Sequence, residues 1–242
     1  MSYIGTTKIG KMFLGTVEIA KAYLGDDLVF QNGPVLPDGP VDWIETDGVA
    51  YINTGIISSF PLGCDFKARF VGGSGTGVML GSRVANSGAR AQLAIPYLKR
   101  MDFGSGTSYY SGVDIADSFD NETDVFIKSL IIRASGKSFV SAKQAGESDY
   151  TKKTLSSYPA VTTTSLPLFL FAQNYGGEAS GIQPAGTRLY YCKIYRDSTF
   201  STPVFDGTPY RYRGKYGLWD SVSNSFFGNA AGSGAFIGPS NE

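Results

Sequence analysis

Short apolar runs separated by glycine-rich turns follow one another along most of this chain, and they restrict it to β-structure. Residues 65–70 alternate charged side chains with Phe66, Ala68 and Phe70, which places these three on one face of a strand. Residues 168–172 are continuously apolar, which is typical of a strand covered on both faces. No window of about 11 residues shows a helical stripe. The pattern predicts an all-β sandwich or barrel of antiparallel strands.

Composition narrows the chemistry that such a fold carries. The sequence has no histidine, which removes the commonest general base, the commonest zinc ligand and every Ser-His or Cys-His nucleophile. Its 21 basic and 21 acidic residues cancel, whereas nucleic-acid-binding proteins usually carry a basic excess. We therefore expect no nucleic-acid binding and no chemistry that depends on histidine.

Cysteine usage and hydropathy bear on where the chain acts. Two cysteines are too few for a disulfide framework, and Cys192 lies in an alternating pattern that favours a buried free thiol. No run reaches the roughly 18 apolar residues of a membrane span. The N-terminus lacks the basic and apolar regions of a signal peptide. We expect no membrane insertion, and transport on an assembled particle is one route to the outside of a cell.

A repeat with a period of ten residues occupies the start of the chain. Gly5, Gly15 and Gly25 begin successive units, each with turn residues before a short β-favouring run. Strands this short bury too little surface to stand alone. We expect the segment to pack on copies of itself, as a homotrimer, or on another protein; a β-meander packed on the following domain is the alternative. The residues expected in this assembly are Ile9, Phe13, Ile19, Tyr23 and Leu24.

A segment rich in proline and glycine separates the repeat from the rest of the chain. Residues 32–40 contain three prolines and two glycines, which favours a stiff spacer over regular structure. The sequence therefore predicts a repeated β-strand anchor at 1–31, a linker at 32–40 and one large β-domain at 41–242.

Four stretches of the large domain resemble the concanavalin A-like (laminin G-like) jelly-roll domains of phage and gut-bacterial surface proteins. They correspond to that family's opening strand, an inner strand, a later strand and the closing hairpin, at residues 43–56, 168–174, 186–195 and 216–227 with Gly232-Ser233-Gly234. The resemblance spans residues 41–239, and the closing hairpin is its most specific part. The N-terminal repeat is similar to segments at the start of phage head-fibre and tail-associated proteins.

The resemblance implies an antiparallel two-sheet jelly-roll sandwich with one concave sheet. In this family, ligands commonly bind at the concave face or at loops along one rim. The same fold hosts lectins, glucanases and structural modules, so it does not identify a ligand.

Glucanases of this fold place acids at Glu-x-Asp-x-x-Glu, so that paired carboxylates share one cleft. The sequence begins this motif at Glu45-Thr46-Asp47 and again at Glu122-Thr123-Asp124. The third acid is replaced by Ala50 in the first case and by Ile127 in the second. We therefore expect no enzymatic activity and predict no catalytic residue.

The densest acidic stretch is residues 114–122. It lacks the alternating ligand spacing and the glycine of a helix-loop-helix calcium site. A solvated acidic loop is the better interpretation. We predict no cofactor and no metal site, although calcium bound by such a loop stays open.

Aromatic side chains beside glycine-rich loops are the candidate ligand contacts, because sugars bind exposed aromatic faces next to amide or carboxylate groups. The candidate ligand-binding residues are Tyr109, Tyr110, Asn174, Tyr175, Tyr210 and Tyr212. For each tyrosine the alternative is a half-buried structural anchor. Trp43 and Trp219 lie in strand motifs and are expected in the core.

Together these features favour a non-enzymatic phage virion protein, a head or tail fibre or a decoration protein on the virion surface. The repeat would attach it to other virion proteins, and the jelly-roll domain would face outward to bind host-surface glycan or protein. Two alternatives stay open. One is a lectin-like adhesin of a bacterial surface, and the other is a glycan-cleaving enzyme.

Overall fold

The computed structural model describes six short strands within residues 3–31 and, beyond them, residues 38–71, 77–84, 90–97, 100–105, 108–114, 123–132, 137–154 and 164–239. Every regular element among these residues is a β-strand. In chain order the strands are β1 (Tyr3–Ile4), β2 (Thr7–Lys8), β3 (Met12–Leu14), β4 (Val17–Ile19), β5 (Lys21–Leu24), β6 (Asp27–Gln31), β7 (Gly39–Pro40), β8 (Ile44–Thr46), β9 (Ile52–Ile57), β10 (Leu62–Arg69), β11 (Leu80–Arg83), β12 (Arg90–Tyr97), β13 (Arg100–Ser105), β14 (Ser108–Asp114), β15 (Asp124–Ile131), β16 (Phe139–Gln144), β17 (Thr151–Thr154), β18 (Pro167–Leu170), β19 (Gln173–Tyr175), β20 (Glu178–Ser180), β21 (Arg188–Tyr195), β22 (Pro203–Tyr212), β23 (Lys215–Asp220), β24 (Ser225–Phe227) and β25 (Phe236–Ile237). In the described part of the chain, no helix is long and apolar enough to cross a membrane.

The N-terminal repeat forms three antiparallel strand pairs, β1–β2, β3–β4 and β5–β6. Each pair encloses one of the dipeptides that begin the sequence repeats, since Ile4 is opposite Thr7, Leu14 opposite Val17 and Leu24 opposite Asp27. The predicted assembly residues in these strands are Phe13, Ile19, Tyr23 and Leu24, with partners Glu18, Met12, Leu28 and Asp27 in that order. The fifth, Ile9, lies outside the described residues.

Two large sheets form the rest of the fold. The larger sheet has the order β17-β16-β15-β10-β21-β22-β23-β24, with β7, β8 and β25 joined at its side. The smaller sheet has the order β14-β13-β12-β11-β18-β9, with β19 paired to β11 and β20 paired to β19. Pairing is antiparallel except between β11 and β19. The chain crosses repeatedly from one sheet to the other, a pattern typical of jelly-roll sandwiches. The prediction of an all-β antiparallel sandwich is confirmed.

The core lies between the two sheets, and on β10 it is built by alternation from Cys64 onward. On β10, Phe66 and Ala68 are fully buried while Asp65, Lys67 and Arg69 face outward, as the sequence predicts. The strand at 168–172 is also buried throughout, as predicted. It ends at Leu170 because Phe171 adopts a left-handed φ of 64° and turns the chain towards β19.

Both cysteines lie in this core with free thiols, which confirms the prediction for Cys192. Cys64 Sγ is 3.2 Å from Ser129 Oγ. Burial raises the pKa of the Cys64 thiol to about 12, which makes it an inert core residue at neutral pH.

The two tryptophans were predicted in the core, and this prediction is wrong. Trp219 alternates with the fully buried Leu218 on β23 and is therefore on the outer face of the larger sheet, half-buried. Trp43 is also half-buried, and the guanidinium carbon of Arg188 lies 4.0 Å from the centre of its ring. Both rings are partly open to solvent, which core tryptophans are not.

The sandwich begins slightly before residue 41. Gly39 and Pro40 pair with Arg211 and Tyr210 of β22. Just ahead of them, the carboxylate of Asp38 accepts a hydrogen bond from the backbone N–H of Arg213 at 2.9 Å. The end of the proline-rich segment is thus fixed to the larger sheet.

Candidate functional site

A group of four aromatic side chains lies on the outer face of the larger sheet, where β22, β23 and β24 are neighbours. We call Tyr210, Tyr212, Trp219 and Phe226 the aromatic strip. Their side follows from the register, since Tyr210 is opposite Gly217 and Trp219 is opposite Phe226. The alternate positions of the same strands, such as the fully buried Phe205 on β22 and Leu218 on β23, point into the core.

The four rings contact one another in sequence across the strands. The centroid of Trp219 is 5.4 Å from that of Tyr210 and 6.3 Å from that of Tyr212. Tyr212 is in turn 5.3 Å from Phe226. These distances are typical of packed aromatic pairs, and all four side chains keep part of their surface exposed. The strip is therefore a continuous, partly open apolar surface on the outer face of the larger sheet.

Gly217 allows this arrangement because it has no side chain. A Cβ atom at this position would lie 2.7 Å from the ring of Phe226 and 2.3 Å from the carbonyl oxygen of Phe227. The ring of Phe226 thus covers the backbone of β23 next to Tyr210.

A cavity of about 680 Å³ opens beside one end of the strip. Tyr212 and Phe226 belong to both, and Arg213, Lys215, Tyr216 and Asn229 line the cavity with the backbone of residues 231–236. The lining contains two cations and no carboxylate. The guanidinium carbon of Arg213 lies 5.2 Å from the centre of the Tyr212 ring.

The far wall of the cavity is a glycine-rich loop held by side-chain amide and carboxylate groups. Asn229 accepts a hydrogen bond from the backbone N–H of Tyr51 and donates to the carbonyl oxygens of Ser233 and Gly234. Asp47 accepts one from the N–H of Ala235 at 2.6 Å. The cavity is therefore shaped by a braced loop.

Glu45 and Asp47, the start of one glucanase-like motif, both have structural partners. Glu45 forms an ion pair with Arg188 at 2.7 Å. Burial raises the pKa of Asp47, but backbone N–H groups of Ala50, Ala235 and Val49 outweigh it, so the pKa lies below its ordinary value. An acid held ionised in this way suits a turn brace and not a proton donor.

The predicted ligand residues are distributed over both sheets. Tyr210 and Tyr212 are brought together in the aromatic strip, on β22 beside the turn at residues 213–214. Tyr109 and Tyr110 lie in β14, opposite Gly104 and Phe103. Tyr175 is half-buried on β19, next to the buried Asn174.

Asn174 is used within the fold. Its amide donates to the carbonyl oxygen of Pro167 at 3.0 Å and accepts from the N–H of Gly177 at 2.9 Å. With both functions occupied and its side chain buried, Asn174 braces the turn after β19 and is not carried forward as a ligand contact.

Trp219 and Phe226 are the site residues that sequence reasoning missed. The missing information is the register across the turn at Arg213 and Gly214. Both residues have positive φ angles, 50° at Arg213 and 76° at Gly214. A two-residue turn at this point places Trp219 near Tyr210 and Tyr212. A sequence prediction that includes this turn places Trp219 on the outer face and not in the core.

Comparison with known proteins gives a structural likeness only. No family model matches the chain, and a search of curated proteins finds no similar sequence. Similar solved structures include mouse laminin α1 chain domains LG4-5, at 14% identity over 69% of this chain and 45% of that chain, with a TM-score of 0.45. A pentraxin from Limulus polyphemus matches at 9% identity over 68% of this chain and 73% of its own, with a TM-score of 0.34.

A third similar structure is Scytalido-glutamic peptidase, at 11% identity over 81% of this chain and 96% of that chain, with a TM-score of 0.38. TM-scores below 0.5 at these identities carry no argument about ligand, reaction or assembly. The chain spans less than half of the laminin fragment that it matches.

Acidic side chains elsewhere in the fold are the residues that could hold a metal ion. Among the described residues, no group of three or more His, Cys, Asp or Glu side chains is placed to hold a metal ion. Asp114 ends β14, opposite Arg100. Residues 115–122, the rest of the acidic stretch, lie outside the described residues.

Asp124, from the second glucanase-like motif, is the centre of an ionic network on the larger sheet. Lys67 Nζ lies 2.7 Å and Arg69 2.8 Å from its carboxylate, and Tyr190 Oη donates to it at 2.8 Å. Burial raises the pKa of Asp124, but these donors outweigh burial and hold the pKa below its ordinary value of 3.8. Burial and the bond to Asp124 raise the pKa of Tyr190 to about 12.

We expect Asp124→Asn to lower the free energy of unfolding by about 2 kcal/mol at pH 7, because charge-assisted hydrogen bonds are lost. A carboxylate with a lowered pKa stabilises the fold above its ordinary pKa, and the contribution disappears as pH falls through the folded-state pKa. The difference between wild type and variant should therefore shrink below about pH 4. Urea unfolding at pH 7 and pH 3 measures it, with Asp149→Asn at an exposed acid as control. An undiminished difference at pH 3 would contradict the assignment.

Proposed function

We propose that this protein is a non-enzymatic, carbohydrate-binding jelly-roll domain whose ligand lies on the aromatic strip and reaches into the adjoining cavity. One observation carries the proposal. Tyr210, Tyr212, Trp219 and Phe226 form a continuous, half-buried aromatic surface that leads into a cavity of about 680 Å³.

The chemistry of the surface suits a sugar chain. The apolar face of a pyranose ring packs against an aromatic ring, while its hydroxyl groups need donors and acceptors at the edge. Trp219 offers the largest ring, at the centre of the strip. Arg213, Lys215 and the phenol of Tyr216 supply polar groups in the cavity. The described residues that line the cavity include no carboxylate, as is expected of a site that binds a sugar without cleaving it.

We further propose that the chain is a phage virion protein, a head or tail fibre or decoration protein that presents this surface to host glycan. The support is the arrangement along the sequence. Three strand pairs of a ten-residue repeat precede a proline-rich segment, and the sandwich follows. In this proposal the repeat joins three chains and contacts other virion proteins.

Trp219→Ala tests the binding surface. We expect it to weaken glycan binding roughly 30-fold, because a central aromatic contact is worth about 2 kcal/mol or more. A glycan array of bacterial surface polysaccharides identifies a binder for the wild-type chain, and calorimetry with that oligosaccharide compares the variants. Trp43→Ala is the matched control, since Trp43 is also half-buried but its ring packs on the guanidinium of Arg188.

Two outcomes would count against the proposal. In the first, both tryptophan variants lose binding equally. If thermal unfolding shows that both variants are folded, the ligand lies elsewhere. If it shows that they are not, the loss reflects a general loss of structure. New reducing ends after incubation of the wild-type chain with its binding polysaccharide would show cleavage and end the non-enzymatic proposal.

A further inference from the structure

A second cluster of polar side chains lies on the smaller sheet around Gly81, far along the fold from the aromatic strip. Gly81 is opposite Gln173, and Arg83 is opposite Tyr175, in the parallel pair β11–β19. Directly paired residues share a face, so Gln173, Arg83 and Tyr175 lie on the same side as the missing side chain of Gly81. A Cβ atom on Gly81 would lie 3.2 Å from Cγ of Gln92, which adds Gln92 to this side.

This side is the outer face of the smaller sheet. Leu80 and Ser82, which alternate with Gly81 and Arg83, point inward. Leu80 belongs to the core, and Ser82 Oγ is bonded to the buried Thr164 Oγ1 at 2.7 Å. We call Arg83, Gln92, Gln173 and Tyr175 the amide cluster.

The amide cluster contains buried polar atoms without a partner. Gln92 is 7% exposed and Gln173 is 6% exposed, and neither Gln92 Oε1 nor Gln173 Nε2 has a hydrogen-bond partner among the described residues. The same is true of the buried Nε of Arg83. A buried polar atom without a partner destabilises a fold, so three around one glycine are unusual in a protein that satisfies most of its polar groups.

The charge of Arg83 is also uncompensated. Its guanidinium carbon is 5.4 Å from the centre of the Tyr175 ring, and it forms no ion pair with a carboxylate of the described residues. Glu178, opposite Tyr175 on β20, is the nearest acid in the register and is exposed. An arginine whose Nε is withdrawn from water usually has a carboxylate or phosphate partner.

The unpaired atoms therefore define what would bind. Arg83 Nε and Gln173 Nε2 are donors, and the amide of Gln92 can present its nitrogen by rotating about its last torsion. Two or three donors and one cation match an anionic oxygen group, whereas a neutral hydroxyl would leave the charge of Arg83 without a partner.

We propose that the amide cluster binds an oxyanion, with Arg83 Nε and Gln173 Nε2 donating to its oxygens and Tyr175 flanking it. The anion is the carboxylate of an acidic sugar or a free inorganic anion, two sources with the same chemistry. Tyr109, one of the candidate ligand-binding residues from the sequence, lies two strands away in the register. Gln92 is opposite Gly104, and Gly104 is opposite Tyr109. The site does not depend on the aromatic strip, and either can fail without the other.

Nuclear magnetic resonance of the full chain tests the site directly, since arginine Nε–H groups give separate signals. Arg83→Lys identifies the signal of Arg83. Titration with D-glucuronate, inorganic phosphate and D-glucose should shift this signal for one or both anions and not for glucose. A shift with glucuronate alone assigns the site to an acidic sugar, and an equal shift with phosphate assigns it to a free anion. No shift with either anion, or an equal shift with glucose, would overturn the proposal.

Two variants separate ligand binding from a structural role. Arg83→Gln should weaken binding of the effective anion by roughly 10- to 100-fold, while Arg196→Gln, at an exposed arginine bonded to the carbonyl of Ile57, should leave it unchanged. Gln173→Met should also weaken binding and yet leave the thermal midpoint unchanged or raised, because it removes an unpaired buried amide. A lowered midpoint for Gln173→Met with unaltered anion binding would show that the amide is structural and overturn the proposal.

Discussion

Replacing Gly217 with alanine is expected to lower the free energy of unfolding by about 3 kcal/mol and to abolish glycan binding at the aromatic strip. The added Cβ would lie 2.3 Å from the carbonyl oxygen of Phe227 and 2.7 Å from the ring of Phe226. A side chain can rotate away from such a contact, but the carbonyl belongs to the backbone of β24. The strand pair β23–β24 has to separate, and the ring of Phe226 has to leave its place over the backbone.

The measurement is urea unfolding together with calorimetry against the oligosaccharide bound by the wild-type chain. Gly39→Ala is the matched control, because Gly39 is also in a strand of the larger sheet but has nothing within 4 Å of an added Cβ. The control should unfold within about 1 kcal/mol of wild type. A Gly217→Ala chain that unfolds like wild type and still binds would show that the strip does not depend on this close approach.

Some parts of this fold are predictable from the sequence alone. Alternation identifies the inward positions of β10 correctly, because burial on one face of a strand imposes a period of two residues. The continuous apolar run at 168–172 likewise identifies a strand covered on both sides. These predictions depend only on neighbours along the chain.

The candidate sites depend on neighbours across strands, and a single sequence carries little information about them. Trp219 meets Tyr210 and Tyr212 only through the turn at residues 213–214. Gln173 meets Gly81 only because Phe171, at a φ of 64°, reverses the chain into a parallel pair with β11. A positive φ at a buried phenylalanine has no sequence signature, so the amide cluster was not predictable.

The two candidate sites follow the same physical logic. The sandwich obtains its stability from side chains between the sheets, and this leaves both outer faces free to carry residues that do not help folding. A half-exposed tryptophan on the larger sheet and an unpaired arginine on the smaller sheet are such residues. We therefore interpret both outer faces, and not the core, as the places where ligand chemistry is found.

Removal of the N-terminal repeat is expected to lower the particle mass more than threefold, from a trimer of the 25.9 kDa chain to a single sandwich. Light scattering compares the full chain with a chain that begins at Asp38. This start point keeps the pairing of Gly39 and Pro40 with β22 and the bond from Arg213 to Asp38. The core cluster lies entirely beyond that point, so the shortened chain retains the contacts that stabilise the sandwich.

Full-length variants show whether the repeat acts through its apolar residues. Ile19→Asp combined with Tyr23→Asp should give a monomer, because a charge within an apolar assembly contact is costly to bury. Lys8→Gln, in β2 of the same segment, should leave the trimer intact. A shortened chain that stays trimeric would place assembly in the sandwich. A full chain that is monomeric would mean that the repeat packs on its own sandwich or on a different protein, and the homotrimer would be wrong.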